Sequence, residues 1–356
     1  MRPAKDITKI LLSTTSRLVG HYEDPGLFIT LASQGGIGQR EWLEILANPF
    51  SRNFYVLSIK TPEWKEDTIV IPNYAYLGEI FCIYMSILFG KRFDSHGLLE
   101  QHGGFNVPWV TNVPPSCNPK FPYNDHSPRI DFNIPLNLGE LKRISPLFYS
   151  EELEDVREVF LTAGRFYLQG IKEFENQPEV AFLSLITCGE ILSNSFDYSP
   201  EDLLDEQLKQ DIQCIQKNLK NGDKISRRIK SRLYQVKAKY TRVIIELLDE
   251  QFFSCTQAPN EITSLKKDEI EKRINAAYDL RSRYVHSGQN FRRWLSAIGE
   301  RQEVPVGQPS INDKELKKVL ARCPTFVGLE RIMRYCLLQF IQSKGVNIRN
   351  STSETA

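Results

Sequence analysis

Two side chains near the end of one amphipathic segment have the chemistry needed to bind a phosphate and to move a proton. Arg281 lies five residues before His286 in the stretch YDLRSRYVHSG. Histidine titrates near neutral pH and is the usual side chain for proton transfer. Arginine keeps its charge and offers a planar fork of donors that matches a phosphate. A histidine near a helix end is more often a surface or capping residue, so the pair needs further support.

The position of Arg281 within an apolar helix face predicts a partner of opposite charge. Ile274 precedes it by seven residues and Val285 follows it by four, spacings that place all three on one side of a helix. A buried cation is costly without a partner. Glu190 projects in the same way from the apolar face of the segment 178–195. We therefore predict that Glu190 and Arg281 meet, directly or across a phosphate-binding cleft. An ion pair that only specifies the packing of a helical bundle is the alternative.

The other histidines and the cysteines give no metal site. His21, His96, His102 and His126 have no Cys, His or acidic neighbour at ligand spacing. The seven cysteines are scattered and lack CxxC spacing, which indicates reduced thiols in a cytoplasmic protein. We expect neither a metal nor another cofactor.

The elements that must position these residues divide the chain into two parts. Strand-like runs, one apolar helix and an irregular proline-rich stretch predict a mixed α+β domain over residues 1–150. Successive amphipathic patterns predict an all-α helical bundle over 151–346, and the polar residues 347–356 are expected to be disordered. Strands are predicted at 27–32, 54–59, 68–71 and 130–134, and helices at 7–18, 74–89, 151–175, 178–195, 201–220, 224–250, 266–286 and 313–344, the last with a break at Pro324.

Charge and hydropathy narrow the classes of partner. The net charge is +1, so any nucleic-acid site must be a local basic surface. The longest uncharged apolar run, 80–89, is too short to span a bilayer, and the N-terminus has no secretory pattern. We expect a cytoplasmic protein without membrane contact. The basic stretch 224–232, with Arg227 and Arg228, is a candidate surface for an RNA backbone, although such a run is more often a solvated helix face.

A glycine-rich turn, SQGGIGQR at 33–40, invites comparison with phosphate-binding loops. It lacks the Lys and Ser/Thr of a Walker A loop, and GGIG does not match GxGxxG. An ordinary tight turn is the default interpretation.

The arrangement of these segments resembles a known family. RSRYVH, Arg281 to His286, resembles the R-x4-6-H motif of HEPN domains, and YDLRSRYVHSG resembles in particular the ApeA-like group of HEPN proteins. FLSLITCGEILS, 182–193, is similar to that group's first core helix, which carries an acidic residue at the position of Glu190. ISRRIKSRL, 225–233, resembles its middle helix. The resemblance covers roughly 155–345 and none of the first 150 residues.

The resemblance implies a fold, an activity and roles for individual residues. HEPN domains are helical bundles that commonly dimerise and so bring two motifs together, and active members are metal-independent RNases. Arg281 would bind the phosphate, and His286 would serve in acid–base catalysis beside His286 of a second copy. Ser282, where the family often has Asn, Asp or His, would hydrogen-bond the phosphate, and Glu190 would orient Arg281. Weaker candidates for RNA contacts are Arg283, Tyr284, Arg227 and Arg228.

Three functional hypotheses follow. The first is a metal-independent endoribonuclease of stress or antiviral defence, active as a homodimer on RNA, whose N-terminal domain senses a protein or nucleic-acid trigger. The second is a catalytically silent HEPN module that dimerises or binds nucleic acid. The third is nucleotidyl transfer or small-ligand sensing at the turn 33–40.

Overall fold

An antiparallel sheet forms most of the N-terminal part of the protein. In the computed structural model six strands pair in the order β2-β3-β4-β1-β5-β6, so that β1 lies between two neighbours. The strands are β1 (Ile7–Thr14), β2 (His21–Asp24), β3 (Leu27–Leu31), β4 (Asn53–Lys60), β5 (Asp94–Gln101) and β6 (Gly104–Phe105). The structure describes residues 5–32, 52–63, 72–106, 117–199, 201–204, 206–230, 236–291, 294–295 and 299–349.

The helix predicted at 7–18 is wrong, because its first eight residues form β1. Ile7, Thr8, Ile10 and Thr14 are β-branched, which favours an extended backbone. The strand is paired along its length with β4 and also pairs with β5, so its backbone groups are satisfied by neighbours that lie far away in the sequence.

The strand predicted at 130–134 is also wrong. The segment is irregular, and Asp131 is fully buried within it. The Asp131 carboxylate accepts hydrogen bonds from its neighbour's backbone N–H at 2.8 Å and from the side chains of Arg331 and Arg334 at 3.2 and 3.0 Å. The segment is therefore fixed by side-chain contacts instead of a strand ladder. The turn at 33–40 and the strand predicted at 68–71 lie outside the described residues.

Helices dominate the described chain after residue 145. Pro324 does break the last predicted helix, as expected, and Thr325 caps the helix that follows by accepting from Gly328 N at 3.1 Å. The helix predicted at 224–250 is described as helix at 222–230 and at 236–247, and residues 231–235 lie outside the described residues. The predicted end at 250 is wrong, because Asp249 caps a separate short helix. The helices are α1 (Tyr76–Phe89), α2 (Pro146–Tyr149), α3 (Glu154–Glu173), α4 (Pro178–Asn194), α5 (Glu206–Asn218), α6 (Gly222–Lys230), α7 (Val236–Leu247), α8 (Glu250–Ser254), α9 (Ile270–Ser287), α10 (Lys314–Arg322) and α11 (Phe326–Ser343), with short 3-10 turns at Leu138–Arg143 and Glu261–Thr263.

The hydrophobic core runs from the sheet into the helices without a break. Apolar α1 packs on β1, β5, α3 and α11. Gly164 of α3 permits this close approach, since a Cβ there would lie 2.6 Å from Ile83 and 2.7 Å from Ile87. The overall class is thus α+β, with an antiparallel sheet followed by a largely helical part. The domain boundary near residue 150 stays a prediction, and extensive packing crosses that point.

Buried ion pairs also join the two parts. Arg129 forms a two-pronged pair with Glu330 of α11 at 2.8 and 2.9 Å, and Tyr167 of α3 donates to the same carboxylate at 2.6 Å. Arg334 of α11 donates to the carbonyls of Ile87 and Leu88 at the end of α1, at 2.9 and 2.7 Å. Because these buried charges are paired and hydrogen-bonded, the cluster fixes where α11 meets α1.

The prediction of disorder over residues 347–356 is wrong for the first of these residues. Ile348 is fully buried, and its carbonyl accepts from Arg143 Nη1 at 2.7 Å. Arg349 pairs with Asp249 at 2.5 Å. Residues 350–356 lie outside the described part of the chain. No helix among the described residues has the length and apolar character to cross a membrane.

Candidate active site

Helix α9 carries the motif and ends where the sequence predicts. Its buried face packs on α4, α7 and α10. Gly288 ends the helix in the left-handed region at a φ of 64°, and its N–H donates to the carbonyl of Tyr284 at 2.9 Å. A side chain would strain that backbone, so the glycine stop that follows His286 has a direct conformational reason. The residues buried on α9 are Ile270, Ile274, Ala276, Ala277 and Leu280.

The predicted contact between Arg281 and Glu190 is present. Arg281 Nη2 lies 3.3 Å from Glu190 Oε2, and the two side chains are 27% and 16% exposed. This is the one hydrogen bond that the guanidinium makes among the described residues. A guanidinium has five N–H donors, so most of them stay available to an anion.

Tyr278 lies beside the Glu190 carboxylate, and Tyr240 packs against Tyr278. Tyr278 lies one turn before Arg281, and burial, followed by its interaction with the nearby Glu190 carboxylate, raises the pKa of Tyr278 to about 12. The phenol therefore keeps its proton at neutral pH. The Arg281 guanidinium carbon lies 5.7 Å from the centre of the Tyr278 ring, and the ring of Tyr240 packs behind it at 5.3 Å. Glu190 is thus a fixed acceptor that orients one edge of Arg281.

A glycine beside Glu190 allows this arrangement. A Cβ at Gly189 would lie 2.5 Å from the Tyr240 ring and 3.0 Å from the sulfur of Met333. The backbone of α4 therefore approaches α7 and α11 more closely than any other residue would permit.

His286 is exposed on the last turn of α9. Its ring makes no hydrogen bond or ion pair in the part of the chain that the structure describes. His286 lies five positions after Arg281 on the helix, which corresponds to about 7.5 Å of rise and about 140° of rotation. The two side chains of one copy consequently project from different sides of the helix.

Val285, predicted to continue the apolar face, is instead 53% exposed. It belongs to the last turn of α9, where the buried face has already ended at Leu280.

Ser282 and Arg281 are adjacent in the chain but face different helices: Ser282 faces α10, and Arg281 contacts Glu190 of α4. Ser282 and Arg283 line a groove between α9 and α10. Ser282 precedes His286 by four residues, so the two lie on one side of the helix within about 40°. Ser282 is thus grouped with His286 and not with the Glu190–Arg281 pair.

The weaker RNA-contact candidates lie in different surroundings. Arg283 donates to Gln289 at 3.5 Å. The Tyr284 ring is partly buried and packs edge-on against Phe291 at 5.3 Å, so it has a packing role. Arg227 and Arg228 are exposed on α6, whose main packing partner is α5, away from the contact between α4 and α9.

A second polar cluster, which the sequence analysis does not single out, lies on the sheet. Arg52 Nε donates to Ser13 Oγ at 2.9 Å, and Ser13 Oγ also shares a hydrogen bond of 2.6 Å with His96 Nε2. Burial, followed by the charge of Arg52, lowers the pKa of His96. Asp94 and His96 alternate along β5, a pattern visible in the sequence, and Asp94 pairs with Arg52. Because Ser13 is fully buried, this cluster has no hydroxyl exposed to a substrate.

The described residues contain no group of three or more His, Cys, Asp or Glu side chains arranged to hold a metal ion. Comparison with protein-family models finds no match, and comparisons with curated proteins and with solved structures likewise find none.

Proposed function

We propose that the protein is a metal-independent endoribonuclease of HEPN type that acts as a homodimer. The observation that carries the proposal is the state of Arg281, which Glu190 holds by one edge while its other donors have no partner among the described residues. The exposed His286 on the same helix has no competing partner there either. A fixed cation and an available imidazole are two of the groups that RNA cleavage without a metal needs.

The chemistry requires two proton-transfer groups. One imidazole accepts the proton of the ribose 2′-hydroxyl as its oxygen attacks the phosphorus. A second, protonated imidazole gives its proton to the departing 5′-oxygen. The products are a 2′,3′-cyclic phosphate and a 5′-hydroxyl. Arg281 stabilises the charge that develops on the phosphate, and each proton transfer contributes about 10²–10⁴-fold.

The rotation of about 140° between Arg281 and His286 is the reason to invoke a dimer. One copy has a single His286 and directs it and Arg281 to different sides of α9, so a site that holds two imidazoles and an arginine needs residues from both copies. Val285 and His286 leave an exposed surface at this end of the helix on which two copies can meet. On the same motif resemblance we place the activity in cytoplasmic stress or antiviral defence, with the sheet-containing part as the sensor of a trigger.

The test is cleavage of mixed RNA by purified protein in EDTA. Arg281→Ala and His286→Ala should each abolish cleavage. Arg242→Ala and His126→Ala, which change an exposed arginine and an exposed histidine elsewhere, should not. Cyclic phosphate ends on the products would identify the reaction. Equal cleavage by all five proteins would contradict the assignment of the site.

One observation favours the catalytically silent module. Arg281 already has a carboxylate partner, and a pair of this kind also occurs as a structural link between helices. That hypothesis predicts no cleavage, no toxicity on expression and an unchanged dimer in His286→Ala, as measured by analytical ultracentrifugation. The enzyme hypothesis predicts toxicity that His286→Ala relieves.

A further inference from the structure

A polar groove runs between α9 and α10 beside Ser282, and neither the Glu190–Arg281 pair nor Arg281 itself lines it. Its volume is about 510 Å³. Lys272 and Arg283 reach it from α9, and Lys318 and Arg322 reach it from α10. Among the described residues, the carboxylates that line it are Asp279 and Glu315.

The cations of the groove outnumber the anions available to them. Asp279 is paired with Lys237 of α7 at 2.6 Å, and Glu315 is paired with Lys318 at 2.9 Å. Lys272, Arg283 and Arg322 have no carboxylate within ion-pair distance among the described residues. The groove therefore has an uncompensated positive charge, although the net charge of the whole chain is only +1.

The cations form a line and not a single point. Lys272 and Arg283 are eleven positions apart on α9. They therefore lie on the same helix face within about 20° and are separated by about 16 Å along the helix axis. That length spans several phosphates of a nucleic-acid strand. A folded acidic peptide usually needs apolar anchors, and the apolar residues of the groove are only Ala276 and Val319.

We propose that this α9–α10 groove binds the sugar–phosphate backbone of the RNA and leads the strand towards His286. Ser282 connects the two, since it lines the groove and lies on the same side of α9 as His286. Its hydroxyl is then a phosphate contact in the groove and not at Arg281. The proposal rests on RNA being the substrate, and it assigns the backbone path to α9 and α10 instead of to the basic face of α6.

The experiment measures binding of a fluorescein-labelled single-stranded RNA by anisotropy over a series of salt concentrations. The full-length His286→Ala protein serves as the background so that the RNA is not cut. Lys272→Gln and Arg322→Gln are added singly, because both side chains are exposed and neither substitution disturbs the core. Each should lower the slope of log K against log salt by about 0.7 and weaken binding about fivefold at 0.1 M salt.

Lys217→Gln, an exposed lysine on α5, is the matched control and should bind like the background. Unchanged affinity and slope in both groove variants, with circular dichroism that shows an intact fold, would overturn the proposal. Equal weakening in the Lys217 control would also overturn it, because binding would then follow total charge. Competition by polyglutamate as effective as that by unlabelled RNA would refute a nucleic-acid site.

The outcomes separate this proposal from the ribonuclease proposal. If the parent protein cuts RNA while the groove variants bind normally, the enzyme stands and the groove is wrong. If the groove variants lose affinity and the parent does not cut, the groove stands and the enzyme is wrong.

Discussion

Removing the charges of Arg281 and Glu190, singly and together, should reveal a coupling free energy of about 1 kcal/mol for protein stability. Arg281→Met keeps an unbranched apolar stem, and Glu190→Gln keeps the size and the acceptor oxygen of the side chain. At 3.3 Å and an effective dielectric constant near 20, the attraction is about 5 kcal/mol before solvation is counted. Both side chains retain solvent contact and make one long hydrogen bond, so desolvation and side-chain ordering offset most of that attraction.

The assay is urea unfolding of the four proteins followed by circular dichroism, with equal m-values as a condition for comparing them. A coupling above about 3 kcal/mol would show a structural pair of the buried kind and would weaken the view that Arg281 is available to a substrate. A coupling near zero would mean that Glu190 does not hold Arg281 in solution. A parallel variant, Arg281→Lys, should lose cleavage while it keeps most of the stability, because lysine preserves the charge but not the fork of donors.

Three further outcomes test close packing at the site and two polar clusters elsewhere in the fold. Gly189→Ala should lower the free energy of unfolding in urea by about 1–3 kcal/mol, because the added methyl group would lie 2.5 Å from the Tyr240 ring. An unchanged unfolding midpoint would refute that close approach. Arg129→Met should lower the free energy of unfolding by about 3–5 kcal/mol, because it leaves the buried charge of Glu330 uncompensated. Adding Glu330→Gln should recover part of that loss, and additive losses would contradict the pairing. The pKa of His96 is lower in the folded protein than in the unfolded chain, so the unfolded chain binds the proton more readily and the unfolding free energy should fall as the pH drops below about 6.5. Between pH 7.5 and 5.5 the unfolding free energy of His96→Asn should fall less than that of the parent. Parallel pH profiles would refute this.

Several features of the site could be predicted from sequence because they depend on helix periodicity and local conformation. The spacing of Glu190 and Arg281 within two apolar faces predicted their contact, which the structure shows at 3.3 Å. The stop at Gly288 and the break at Pro324 follow from backbone preferences that act within a few residues.

Other features could not be predicted because residues distant in the sequence decide them. The apolar residues of 7–14 fit a helical period as well as a strand, and only pairing with β4 and β5 selects the strand. Asp131 reads as a polar residue in a strand-like run. Its buried partners Arg331 and Arg334 lie two hundred positions later, and they fix the segment instead.

The sequence by itself determined which residues share a face of α9 and that Glu190 and Arg281 each lie on the apolar face of a helix, because helical periodicity is a property of the local chain. The contact between them, at 3.3 Å, required α4 and α9 to pack together. Only the tertiary structure decided which neighbours are available. Because α10 packs against α9, Ser282 and Arg283 line a cationic groove. Because the buried face of α9 ends early, Val285 and His286 are exposed. The physical reason is that charge pairing and burial depend on every element that approaches a side chain, and those elements come from positions that no local pattern relates.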